Sequence, residues 1–259
     1  MEGPKGTWSD ADQRRQAVRD LVQMVTNDLP WLASRSDLMP RHFAALGLAR
    51  IARLVDGMLY LYDGDHADVM DAYGRSVIEV YALSLYSLYG GPNAYEHIRG
   101  SYVRDVGLLP ESPKFARAKQ LRERWEGRTD KIAWEQLIKR DLPPLVPDSE
   151  TAAGRVWFEQ LYDLMYRGYS TRGVHASAQS VALHLSRHGD SVGVEPHRYS
   201  PDDGTDHLIF VGTLLGNLAG NVYAVFGLDA GRPKRVLQII GWDLTEADLT
   251  IEGDWSGLD

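Results

Sequence analysis

The stretch Leu208–Leu228 reads LIFVGTLLGNLAGNVYAVFGL, and no charged residue interrupts it. It is long enough to cross a bilayer as a helix. Gly212, Gly216 and Gly220 recur at every fourth position, a stripe of small residues that lets helices approach closely. Asn217 and Asn221 stand mid-run, where a helix facing lipid would leave their amides without partners. At the centre of a helical bundle the same glycines admit neighbouring helices, and the amides bond nearby polar groups. The stretch therefore reads as the buried helix of a soluble bundle, with a membrane span as the lesser alternative.

The rest of the chain is consistent with a bundle. Its 259 residues are enough to bury a core without metal or disulfide staples. Hydrophobic residues at 44% and charged residues at 25% exclude disordered and collagen-like classes. With 36 acidic against 28 basic side chains the net charge is -8, a field that repels polyanions. A broad DNA-binding face is not expected, and only a local basic groove could hold nucleic acid. The chain has no cysteine, which excludes disulfides, zinc thiolate sites, iron–sulfur clusters and a cysteine nucleophile, and suits a cytoplasmic location. Met1–Ser9 lacks the apolar core of a signal peptide.

Helical periodicity runs through most of the sequence. A first helix opens at Ser9 with Asp12 and stops at Pro30; a second runs from Pro40 to Asp63. A third spans His66 to Tyr89 and ends at Gly90-Gly91-Pro92. Shorter helices are expected at Asn93–Val106, Ser112–Trp125 and Asp130–Lys139. A rigid Leu142–Pro147 connector leads to a long helix from Asp148 or Ser149 through Met165. Gly168 and Gly173 bracket a kink or break before a helix at Val174–His188, and Val192–Tyr199 reads as a short strand or extended loop. Pro201–Gly204 is expected as a turn and Pro233–Ile240 as the last helix. The expected fold is all-α, a single helical bundle over 1–242, with an acidic tail over 243–259. Its centre should be the helices containing Tyr73–Tyr89, Val156–Tyr166 and Leu208–Phe226, which are apolar on most sides.

Few residues invite chemistry. Arg75 and Glu79 lie four apart on the third helix and so share a face. On so apolar a helix the pair is either an exposed surface pair or part of a buried polar site. The densest polar cluster is Tyr166–His175, which holds Arg167, Ser170 and Arg172 and offers donors, cations and a base that titrates near neutral pH. Its plainer reading is a helix junction capped by Ser170 or Thr171. His184 and His188 read as a surface pair, since no carboxylate completes a metal site. No Walker-A loop, GxGxxG, GxSxG or carboxylate-rich di-iron pattern is present, and no cofactor is implied.

Arg75-x3-Glu79, the later Tyr166-x3-Ser170-x4-His175 and the small polar residues after that histidine resemble a bacterial all-helical family of unknown function that is compared with HEPN domains. The resemblance covers roughly residues 40–228. HEPN domains are helical bundles, often dimeric, found in toxin–antitoxin and phage-defence systems. Many are metal-independent ribonucleases whose Arg-x4–6-His motif forms a composite site across a dimer. By that likeness His175 corresponds to the HEPN histidine and Arg167 or Arg172 to its arginine. Arg167 lies farther from His175 than the motif prescribes, and Arg172 lies closer, so Arg75 would have to supply the missing cation.

The resemblance thus implies a homodimeric, metal-independent endoribonuclease holding RNA in a local basic cleft, with His175, Arg172, Arg167 and Arg75 as catalytic residues. Glu79, Tyr166, Ser170, Asn217 and Asn221 would line the site. Imidazole and guanidinium suit proton transfer and phosphate binding. The residue pattern leaves a second reading open, a non-catalytic helical module that binds a partner protein or small ligand in the same polar cleft. A third is a membrane-anchored accessory protein using Leu208–Leu228.

Overall fold

The computed structural model describes residues 11–35, 39–64, 66, 69–108, 116–127, 129–147, 152–170, 185–188, 191–194 and 201–241. Long helices dominate: α1 (Ala11–Arg35), α2 (Met39–Asp63), α3 (Met70–Val106) and α7 (Pro201–Phe226). Shorter ones are α4 (Ala116–Glu123), α5 (Trp134–Gln136), α6 (Ala152–Gln160) and α8 (Gly231–Ile240). α5 widens into a π-helical turn at Leu137–Asp141. α6 runs on through a π-helical stretch, Leu161–Tyr166, into a last α turn, Arg167–Tyr169. The fold is all-α apart from one antiparallel hairpin, β1 (Leu185–His188) with β2 (Ser191–Val194).

α7 packs against α1, α2, α3 and α8. Leu208, Ile209, Val211, Leu214, Leu215, Leu218, Ala219 and Val222 are shut off from solvent. Each of the leucine, isoleucine and valine side chains stabilises the fold by about 1.5–3 kcal/mol relative to exposure. By length and composition Gly204–Phe226 qualifies as a membrane span, yet 72% of its apolar window is buried inside the protein. Neighbouring helices cover most of its side chains.

Two of the three helices expected at the centre, α3 and α7, are there, and the third is not. α1 and α2 sit at the heart of the core, through Val18, Leu21 and Val25 on one and Leu48, Ile51, Val55 and Met58 on the other. α6 lies outside, with Val156 45% exposed. Its helical path touches α3 and the π-turn after α5. A one-sided stripe is enough to make a helix central when several neighbours each bury one stripe; apolarity all round is not required.

Element ends differ as well. α1 continues through Pro30 to Arg35, since burial of Leu32 on the next turn outweighs the lost backbone hydrogen bond. The expected turn at Pro201–Gly204 is the first turn of α7, where proline's fixed φ suits a helix start. α3 re-enters a helix directly after Gly91, which takes φ 61° and ψ −147° ahead of Pro92. Leu185–His188, expected as the end of a helix, is a strand, and β2, Ser191–Val194, overlaps the start of the expected extended region. The register pairs His188 with Ser191 and Leu185 with Val194. The acidic tail at 243–259 lies outside the described residues, as does the junction from Thr171 to His184.

Candidate functional site

A charged knot forms where the α6 path crosses α3. Arg75 and Glu79, one turn apart, are joined by a hydrogen bond of 2.8 Å from Arg75 Nε to Glu79 Oε1. Their side chains keep 22% and 26% of their exposure, so the pair is neither a surface pair nor a sealed one. The Tyr166 hydroxyl donates to the same Glu79 oxygen at 3.2 Å. The Arg75 guanidinium also lies over the Tyr166 ring, 5.2 Å from its centre. Residues distant in sequence thus converge as expected, because a charged pair on an apolar helix requires polar neighbours.

The π-helical stretch carries Tyr166 into place. Tyr162 and Tyr166 stack at 5.3 Å, with planes inclined by 15°. Trp134 flanks Tyr166 at 6.1 Å. Lys139 lies over Tyr162 and bonds Asp163 at 2.8 Å. Two cations therefore bracket a stacked pair of tyrosines.

Electrostatics follow from this arrangement. Burial acts to lower the Arg75 pKa, but the hydrogen bond and charge of Glu79, together with Tyr166, outweigh it and hold the guanidinium above its ordinary value. Burial, reinforced by the Glu79 charge, pushes the Tyr166 hydroxyl up to about 12. The knot is thus a protonated arginine, a carboxylate and a neutral phenol that donates to it. A phosphate arriving here would have to compete with Glu79 for the guanidinium.

One turn back along α3, Asp71 is buried with its Oδ1 3.2 Å from His207 Nδ1 of α7. The ring of buried Tyr169 meets His207 edge-on at 5.3 Å. The same ring presses on Gly74, where a Cβ would lie 2.6 Å from it, so α3 needs a glycine there. Tyr169 belongs to the Tyr166–His175 cluster that the sequence singles out, whereas Asp71 and His207 lie outside the residues it points to. Asp71 precedes Arg75 by one turn on the same face, and that spacing was the available signal.

Asn217 and Asn221 do not join the charged knot as expected. They form a neutral ladder with tyrosines of α3. Tyr81 Oη donates to Asn217 Oδ1 at 2.8 Å, and the Tyr89 hydroxyl donates to Asn221 Oδ1. Asn221 Nδ2 returns to Asn217, bonding its carbonyl at 2.8 Å and its side-chain oxygen at 3.1 Å. The Trp157 indole of α6 donates to the Tyr81 hydroxyl, while burial pushes that hydroxyl's pKa far up. On α7 the amides meet the tyrosines nearest them across the interface, and those lie beyond Arg75 along α3.

The other expected members divide. Ser170 Oγ turns back to the Tyr166 carbonyl at 2.7 Å within a helical turn, so it is not an N-cap. Arg167 is exposed. His175, Arg172 and His184 lie outside the described residues, and His188 stands in β1 rather than on a helix with His184. Among the described residues no group of three or more His, Asp or Glu side chains gathers to hold a metal. Comparison with family models, with curated proteins and with solved structures finds no match to this chain.

Proposed function

We propose that the protein is a non-catalytic helical module that binds an uncharged small ligand or a neutral face of a partner beside α3, α6 and α7. One observation carries the reading: Arg75 is committed to Glu79 and Tyr166, so the site's central cation is already neutralised. A metal-independent ribonuclease needs a cation available to the phosphate as negative charge develops there. An internally balanced knot instead orients helices and leaves neutral hydrogen-bonding groups to recognise the ligand.

The test is incubation of purified, folded protein with structured and single-stranded RNA in the presence of chelator, alongside His175→Ala. Intact RNA, and cells equally tolerant of both proteins, is the expected result. Cleavage by the wild type that disappears in His175→Ala overturns the proposal in favour of the HEPN-like endoribonuclease, with His175 and Arg172 or Arg167 at its site. Light scattering adds a second check, since the composite nuclease site of that reading requires a dimer.

A further inference from the structure

We infer that the acidic segment 243–259 docks in cis on the outer face of α2, along Leu46, Arg50, Arg53 and Tyr60 and beside Tyr73 of α3. This surface is separate from the ligand site above and does not rest on it. Leu46, Arg50, Arg53, Gly57 and Tyr60 recur at alternating spacings of four and three, so they form one stripe along α2. Leu46 is 57% exposed and Tyr60 80%. Tyr73 flanks the stripe, since a Cβ on Gly57 would lie 3.7 Å from its ring, and Val69 stands one turn before Tyr73. Four of the eight large hydrophobic side chains exposed among the described residues, Leu46, Tyr60, Val69 and Tyr73, thus lie on one face. Exposed apolar residues scattered singly need no partner, whereas a group gathered on one face and interleaved with cations invites one.

Charge and reach identify the occupant. Arg50 and Arg53 are exposed on the stripe, and one carboxylate, Asp56, bonds Arg53 at 2.8 Å. Segment 243–259 carries six acidic and no basic residues, interleaved with Leu249, Ile251 and Trp255. It therefore offers carboxylates to the arginines and apolar side chains to Leu46, Tyr60 and Tyr73. A second copy seated on the stripe would instead add two more arginines to the same contact. The chain leaves the described bundle near that face. Arg14 Nε donates to the Ile240 carbonyl at 2.7 Å. From the same turns of α1, Arg15 donates to the Tyr62 hydroxyl and Arg19 to Asp63 Oδ2 at 2.7 Å. Only α1, a helix about 10–12 Å across, thus separates the exit from the end of α2. Residues 242–259 reach about 60 Å when extended, against about 20 Å for the stripe from Leu46 to Tyr60.

The chain has no cysteine, so Ser256→Cys carries a single nitroxide label on the full chain. In isotope-labelled protein the nitroxide should quench the amide signals of Arg50, Arg53, Gly57 and Tyr60. Those of Lys234 and Arg235, exposed on α8 close to the exit, should keep their intensity. Salt at about 1 M shortens the Debye length to about 3 Å and should restore much of the lost signal. Arg50→Glu combined with Tyr60→Ser changes only exposed side chains, keeps the fold and should abolish the quenching. The inference is overturned by no quenching on α2, by quenching spread evenly over the surface or confined to α8, or by quenching that survives the double variant. It is also overturned if quenching appears when spin-labelled chain lacking the isotope is mixed with isotope-labelled chain lacking the nitroxide, because a second copy then supplies the segment.

Discussion

In its first turns α3 presents Arg75 and Glu79 to Tyr166; farther along it presents Tyr81 and Tyr89 to Asn217 and Asn221. Both clusters tie another helix to α3 through hydroxyl groups, the first the outer α6 path and the second α7, and both are partly open to solvent. They differ in what remains when one partner is lost. The first leaves a half-buried formal charge, which water reaches only partly; the second leaves neutral dipoles that cost less. The charged knot therefore fixes the position of the α6 path more strictly than the neutral ladder fixes that of α7.

The largest expected effect follows from the knot. Arg75→Ala strands the Glu79 carboxylate beside Tyr166 and should destabilise the protein by about 2–3 kcal/mol in urea unfolding, discounted for the residual exposure of the pair. Arg75→Met combined with Glu79→Leu should recover most of that loss. A double variant as unstable as the sum of the single ones would show that the two residues act independently, and the contrast with the ladder would collapse.

Alkaline titration sharpens the same contrast. The folded protein holds the Tyr166 hydroxyl protonated up to about 12, against an ordinary value of 10.0 that the unfolded chain follows. A raised folded-state pKa means stability is intact below pH 10 and declines as pH rises from there through about 12. Tyr166 alone should account for on the order of 2 kcal/mol across that window. Burial likewise raises the hydroxyls of Tyr81, Tyr89 and Tyr223, the last also bonded to Asp28, so Tyr166→Phe should flatten the decline without abolishing it. An unchanged slope in Tyr166→Phe would show that its hydroxyl is not held neutral by the knot.

Within the ladder, Asn217→Ala removes the acceptor of the fully buried Tyr81 and should cost about 2 kcal/mol. Asn221→Ala releases Tyr89, which is only half-buried and can turn to water, so about 1 kcal/mol is expected. The reverse order in denaturant midpoints would contradict the burial argument.

The convergence of Arg75, Glu79 and Tyr166 was legible because two charges at helical spacing on an apolar segment must find polar partners, and the cluster containing Tyr166 was the richest supply. The partners of Asn217 and Asn221 were not legible. Their bonding depends on how far α7 is shifted along α3, and no local pattern encodes that shift. Asp71 reads as an ordinary acid in the first turn of a helix, and His207 as the residue before an apolar run; only the packing of α7 on α3 joins them. The all-helical class followed from periodicity, yet Pro30 and Pro201 were given too much weight as breaks. Tertiary burial decided the first of these, and compatibility with a helix start decided the second.

The glycine stripe of α7, with the smallest expected effect at Gly220, is the finest test of how sequence becomes contact. Gly212 and Gly216 meet other helices closely: a Cβ would lie 2.7 Å from Val18 Cγ2 at the first and 2.5 Å from Leu237 Cδ2 at the second. Gly220, though in register with them, has nothing within 4 Å of that position. One repeated spacing thus holds two close approaches and one open position. Gly212→Ala drives a methyl into buried, β-branched Val18, which has little rotamer freedom to yield, and should lose about 1–3 kcal/mol. Gly220→Ala meets no such neighbour, and alanine is the better helix former, so it should gain about 0.5–1 kcal/mol. Opposite signs for the two variants in urea unfolding are the expected outcome. A loss at Gly220 comparable to that at Gly212 would mean that a further element approaches α7 there, beside Asn221 and the open end of the ladder.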